Sequence, residues 1–132
     1  MKTKHVYPAI FEPESVGGYS VYFPDLPGCV TEGDTMEAAL DMAKDAVGIY
    51  LTVLEEEGKA FPVASDPAKL CPEENGFVAL VDMDMLAYKQ KHDKRAVKKT
   101  LSIPQWLNTM AEREGVNFSN ILQRALKERL GV

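Results

Sequence analysis

Apolar and polar positions alternate with a two-residue period at the start of the chain and then change to spacings of three and four. "KHVYPAIFEPE" reads as a strand around Val6, and "PESVGG" supplies a proline and paired glycines, so the two together predict a hairpin. The returning strand is "GYSVYF", with Tyr19, Val21 and Phe23 on one face and Ser20 and Tyr22 on the other, stopped by Pro24. "PDLPGCVTEGDT" carries Pro24, Pro27, Gly28 and Gly33 and reads as loop with a short third strand around residues 29–31.

The period then becomes helical. Met36, Ala39, Leu40, Ala43, Val47, Tyr50, Leu51 and Leu54 form one apolar stripe, with Asp34 or Thr35 as its N-cap and Gly58 as its stop. The stretch "KAFPVASDPAKLCPEENG", with three prolines, predicts an irregular connection. "FVALVDMD" is apolar without alternation from Phe77 to Val81, the pattern of a central strand buried on both faces. "YKQKHDKR" has no apolar period and reads as a linker over residues 89–95, which separates a first domain at 1–88 from a second at 96–132.

The second segment begins with the alternating strand "AVKKTLSI". Val97, Lys99, Leu101 and Ile103 face one way and Lys98, Thr100 and Ser102 the other. Pro104 suits the first turn of a helix carrying Trp106, Leu107, Met110 and Ala111, and Gly115 ends it. Asn117 caps a second helix with Ile121, Leu122, Ala125, Leu126 and Leu130 on its apolar side. A strand and two helices of this size cannot bury a core alone, so this part is expected to dimerise.

Composition adds little until charge is divided. Apolar residues at 45% and charged residues at 27% are ordinary for a globular chain, and no apolar run is long enough for a membrane span or a signal peptide, which makes cytoplasmic residence the expectation. The net charge is -5, but residues 1–88 hold 5 Lys/Arg against 16 Asp/Glu, net -11, and residues 89–132 hold 10 against 4, net +6. This asymmetry points to a polyanion as partner of the second part and a basic molecule as partner of the first.

Cys29 and Cys71, and His5 and His92, are isolated in sequence, without metal-ligand spacing or a positioned partner, so no cofactor or metal is expected. Two antiparallel copies of "KKTLSI" would present Lys98, Thr100 and Ser102 to a DNA major groove, and the free N–H groups at the helix start near Asn117 suit a phosphate. The same strand also fits a polar edge with a solvated lysine pair.

The order of these features carries a resemblance. "KKTLSIPQWLNTMAEREGVNFSNILQRALKERL" resembles a ribbon-helix-helix DNA-binding domain, with small polar residues including Ser119 at the start of its second helix. "YPAIFEPE", "GGYSVYFPDLPGCVTEGDTMEAALDMAKDAVGIYL" and "FPVASDP" resemble the HicB family of antitoxins, so that the two resemblances span nearly the whole chain. They imply an α+β protein, with a β-β-β-α-β domain of shortened RNase H-like fold followed by a dimeric ribbon-helix-helix domain.

They further imply the antitoxin of a type II toxin-antitoxin system. It would cover HicA, a small basic RNA-cleaving toxin, with its first domain and repress its own operon by binding DNA with its second, as a homodimer or higher oligomer. Within that picture Tyr22, Pro24, Asp25 and Leu26, in and beside the "PDLPGC" loop, are candidate toxin contacts, because a rigid loop with an acid and an apolar tip could enter a basic cleft. Equally, the loop only turns the chain.

Two other functions stay open: a ribbon-helix-helix regulator whose first domain senses a small ligand, and a metal-dependent nuclease using Asp82 and Asp84 after the fourth strand. No spacing motif selects those two carboxylates over ordinary surface acids, and the chain is read as a binding protein rather than an enzyme.

Overall fold

The computed structural model describes residues 2–132 and divides into two compact units, one ending at Arg95 and the other running over Ala96–Val132. The first contains β1 (Lys4–Pro13), β2 (Tyr19–Tyr22), β3 (Val30–Gly33), α1 (Met36–Glu56), a single 3-10 turn at Pro67–Lys69, β4 (Phe77–Asp84) and α2 (Met85–His92). The β-β-β-α-β order expected from the pattern is present, with one helix more.

The strands form one antiparallel sheet in the order β3-β2-β1-β4. Phe11 stands opposite Val21 and Phe77, and Tyr7 opposite Val81, so the odd-numbered residues of three strands share a face. That face packs on Ala39, Ala43, Val47 and Leu51 of α1, all fully buried, to make the core. At the start of α1 the Thr35 side chain accepts from the Ala38 N–H at 3.0 Å, which decides the cap in favour of Thr35 over Asp34. The hairpin turn closes by Gly17 N–H donating to the Glu14 carbonyl at 3.0 Å, with Gly17 and Gly18 at the positive φ values that glycine adopts without penalty.

Two expectations need correction. β4 is an edge strand and not a central one: it pairs only with β1, and Leu80 on the face away from α1 is 58% exposed. Its unbroken apolar run arises because Phe77, Ala79, Val81 and Met83 face the core, while Val78 and Leu80 cover the other side of the sheet.

The linker expected over 89–95 is helical as far as His92. Asp84 Oδ1 accepts from the Leu86 and Ala87 N–H groups at 3.0 and 3.2 Å, which starts α2, and Met85 is buried. Tyr88 then lies against Gly48 of α1, where a Cβ would come within 2.4 Å of the ring. Lys89 pairs with Glu55. One aromatic anchor and a cap hold this helix, which is why it has no apolar period to read.

The second unit consists of α3 (Gln105–Arg113) and α4 (Phe118–Leu130). Gly115, at φ +66°, turns the chain between them, and Val116 N–H donates back to the Ala111 carbonyl at 3.1 Å to close the end of α3. No residue of either helix is buried; Trp106 is 65% and Leu130 71% exposed. Residues 93–104 have no regular secondary structure, so the strand expected at 96–103 does not form within one chain. A lone strand leaves its N–H and C=O groups without a ladder partner, and only another strand can supply one. Among the described residues no helix is long and apolar enough to cross a membrane.

Candidate functional site

The "PDLPGC" loop is held from both sides. Leu26 N–H donates to the Phe23 carbonyl at 3.1 Å and Cys29 N–H to the Leu26 carbonyl at 2.9 Å, two consecutive tight turns that aim the Leu26 side chain inward. Leu26 has no exposed surface and belongs to the same core as Phe11 and Leu51, which corrects its reading as a toxin contact: the apolar tip of the loop faces the protein. Asp25 accepts from the Ser65 N–H at 2.9 Å and from its hydroxyl, so the carboxylate ties this loop to the connection after α1. Pro24 is exposed, and Tyr22, half-buried, lies between Ile10 and Val30 on the face of the sheet away from α1. Burial, then Glu12 and Glu73, push the Tyr22 hydroxyl above its usual range.

The carboxylates weighed for metal chemistry have other partners. Asp82 lies 3.6 Å from Lys44 and 3.5 Å from Lys4, and these cations hold its carboxyl below the usual range, Lys44 contributing most. Asp84 is the cap of α2. Among the described residues no three His, Cys, Asp or Glu side chains converge as metal ligands would. Cys29 is buried, and that burial pushes its thiol up to about 11, far from a nucleophilic thiolate at neutral pH.

In the second unit Lys98, Thr100 and Ser102 are all exposed. The Asn117 side-chain oxygen accepts from the Asn120 N–H at 3.0 Å, so this residue is engaged as the cap of α4, with Ser119 exposed in the first turn. Leu101, Ile103, Trp106, Leu107, Met110, Phe118, Ile121 and Leu126 are all open to solvent in the single chain. By the two-residue period, Leu101 and Ile103 lie on the opposite side of their segment from the polar trio.

Redrawing the boundary also alters the electrostatics. Residues 1–95 hold nine Lys/Arg and 17 Asp/Glu, net -8, and residues 96–132 hold six and three, net +3. The sign difference survives, but Lys89, Lys91, Lys94 and Arg95 belong to the acidic unit and lower its contrast with the other.

Sequence reasoning passed over one surface of the first unit. Met42, Ile49 and Val53 of α1 are 48%, 53% and 45% exposed although apolar, and Val30 nearby is 68% exposed. Val30, Ile49 and Val53 line a groove of about 460 Å³ together with Gly28, Cys29, Ala46, Tyr50, Leu54 and the ion-paired Glu57 and Lys59. The signal was present as a second run of apolar residues on α1, at 42, 46, 49 and 53, beside the buried stripe.

Comparison with known proteins adds a frame to this geometry. The model of a family described as HicB_like antitoxin of bacterial toxin-antitoxin system matches residues 7–126. Antitoxin HicB 1 of Photorhabdus laumondii is 44% identical over 57 residues, 43% of this chain and 37% of that protein, so the match spans little more than a third of its length. An uncharacterized 14.9 kDa protein from the rep-hol intergenic region of Haemophilus phage HP1 is 30% identical over 132 residues, 95% of this chain and 97% of its own. Among solved structures, a toxin-antitoxin complex from Streptococcus pneumoniae superposes with a TM-score of 0.61 at 27% identity, covering 96% of this chain and 99% of the other.

Proposed function

The chain belongs to the HicB-like antitoxin family of bacterial toxin-antitoxin systems, and from that premise we propose that it neutralises a HicA-like RNA-cleaving toxin with its first unit and represses its own operon with its second. In this reading it works in the cytoplasm, binding protein and DNA rather than catalysing a reaction. The observation that carries it is the division of labour between an acidic unit with a complete core and a basic unit with none.

A surface of net -8 attracts a basic RNA-binding partner and offers it carboxylates where phosphates would otherwise lie. The second unit, with 37 residues and no buried side chain, gains a core only by meeting a second copy. Pairing the two 96–103 segments antiparallel would satisfy their backbone groups, bury Leu101 and Ile103, and leave two sets of Lys98, Thr100 and Ser102 side by side for a major groove. The start of α4, with Asn117 as cap and Ser119 in its first turn, would receive a phosphate from each side.

The test measures both activities on the full chain. Binding to the short basic protein encoded beside it is followed by calorimetry, and retention of the operon's promoter DNA by gel shift. Changing Lys98, Thr100 and Ser102 together to Ala should abolish the shift and leave toxin affinity unchanged. Failure of the unaltered chain to bind that neighbour would remove the antitoxin reading, and an unchanged gel shift in the triple variant would remove the ribbon.

A further inference from the structure

The chain passes from its first unit to its second through "KQKHDKRAVKK", residues 89–99, with six cations in eleven positions. The cations are of two kinds. Lys98 and Lys99 are exposed and, among the described residues, have no carboxylate within ion-pair distance. Three of the four before them are held by their own unit. Lys89 pairs with Glu55, Lys94 Nζ donates to the Gln90 carbonyl at 2.7 Å, and Arg95 is clamped by Asp93.

Arg95 Nε donates to Asp93 Oδ1 at 2.8 Å and Nη2 to Oδ2 at 2.7 Å, so one carboxylate occupies a whole edge of the guanidinium. Those bonds hold the Asp93 carboxyl down at about 2, which keeps it fully charged at neutral pH. The stop of α2 does not need that charge. Asp93 N–H ends the helix by donating to the Lys89 carbonyl at 2.8 Å, and Oδ1 accepts from the Arg95 N–H at 3.2 Å, a bond that an asparagine side chain can also make. Nor does the pair tie distant parts of the fold together: its members are two residues apart, and the arginine side chain is 78% exposed. What the carboxylate changes is what the guanidinium can meet.

We propose that Asp93 is a built-in competitor for DNA phosphate: it occupies the fork of Arg95 that would otherwise take a backbone phosphate beside the 96–103 segment, and so limits the sequence-independent part of DNA affinity. This rests on the repressor role proposed above and adds the residue pair that sets its strength. A carboxylate and a phosphate present the same pair of oxygens to an arginine, so each excludes the other from that edge. Arg95 precedes Lys98 by three residues, at most ~10 Å of chain. Duplex DNA carries a charge about every 1.7 Å along its axis, so a groove that receives Lys98 has phosphates within reach of Arg95. A phosphate contact positions the protein and reads no base, hence its gain acts alike on every sequence.

The experiment uses the full chain and two fluorescent duplexes of equal length, the promoter of its operon and a scrambled sequence, titrated by anisotropy at several salt concentrations. Asp93→Asn keeps the turn and frees the guanidinium. Affinity for both duplexes should rise by about threefold or more, and the slope of log K against log salt should steepen by roughly one, the signature of one further phosphate contact. Arg95→Ala alone should change affinity by less than about twofold, because the side chain is already occupied. In the double variant the gain should vanish, and circular dichroism verifies that the helices are retained throughout.

A gain from Asp93→Asn that persists in the Arg95→Ala background means that the carboxylate only repels DNA, and overturns the competitor. A loss of affinity from Arg95→Ala alone overturns it as well, since the arginine then holds a phosphate despite its partner, and so does an unchanged salt slope in Asp93→Asn. In each of these cases the repressor role stands, because the unaltered chain still retains its promoter. Binding of neither duplex by the unaltered chain overturns both.

Discussion

Leu26→Ala separates a core side chain from a contact residue. Leu26 has no exposed surface, and its backbone bonds to Phe23 and Cys29 do not involve the side chain, so truncation removes packing alone. Three buried carbons at about 0.8 kcal/mol each account for ~2.4 kcal/mol of transfer free energy. A void that the loop only partly closes brings the total to about 3 kcal/mol, within the range measured for buried leucines. For a unit of this size that lowers the melting temperature by about 12 °C or more.

The assay is urea and thermal unfolding followed by far-UV circular dichroism. Trp106 fluorescence, which lies in the other unit, serves as an internal control. The tryptophan transition should stay in place while the transition of the first unit moves. Toxin affinity, measured well below the lowered midpoint, should remain within about twofold of the unaltered chain. A melting temperature within about 2 °C of the original, together with lost toxin binding, would refute the placement of Leu26 in the core and restore it as a contact.

Other consequences are equally measurable. Gly48→Ala, which in an open helix stabilises by ~0.5–1 kcal/mol, should instead destabilise by about 1–2 kcal/mol because its Cβ meets the Tyr88 ring; in a Tyr88→Ala background the sign should reverse, as a double-mutant cycle by urea unfolding would register. At pH 8 a thiol reagent should modify one cysteine of the folded chain, the exposed Cys71, and a second only after unfolding, because burial raises the Cys29 thiol to about 11 and keeps it protonated in the folded state; two fast equivalents would contradict this. Trp106→Glu should leave the first unit folded but convert the chain to a monomer by sedimentation, and a dimer of unchanged stability would exclude α3 from the interface.

What the chain determines locally was legible in its sequence. Alternation in "GYSVYF" sets which residues of β2 face the core, the three-and-four spacing from Ala39 to Leu51 sets the buried side of α1, and Gly115 and Asn117 mark where α3 stops and α4 starts. Each depends on a backbone period or on one residue's conformational or capping preference, which neighbours in sequence already define. The division of the chain into an acidic and a basic part was equally visible, although assigning residues 89–95 to the first unit reduces it.

Tertiary structure alone decided the rest, because each remaining question concerns residues far apart in sequence. β4 becomes an edge strand only because β1 takes its one partner on that side of the sheet. Residues 85–92 become a helix because Tyr88 finds a glycine forty residues earlier in the chain. Leu26 turns inward because a core is waiting beneath its loop, and Met42, Ile49 and Val53 stay outside because the sheet covers only the neighbouring side of α1. The alternating 96–103 segment shows the limit most clearly. Its pattern is that of a strand, but the hydrogen bonds that make a strand belong to a pair, and a single chain contains half of it.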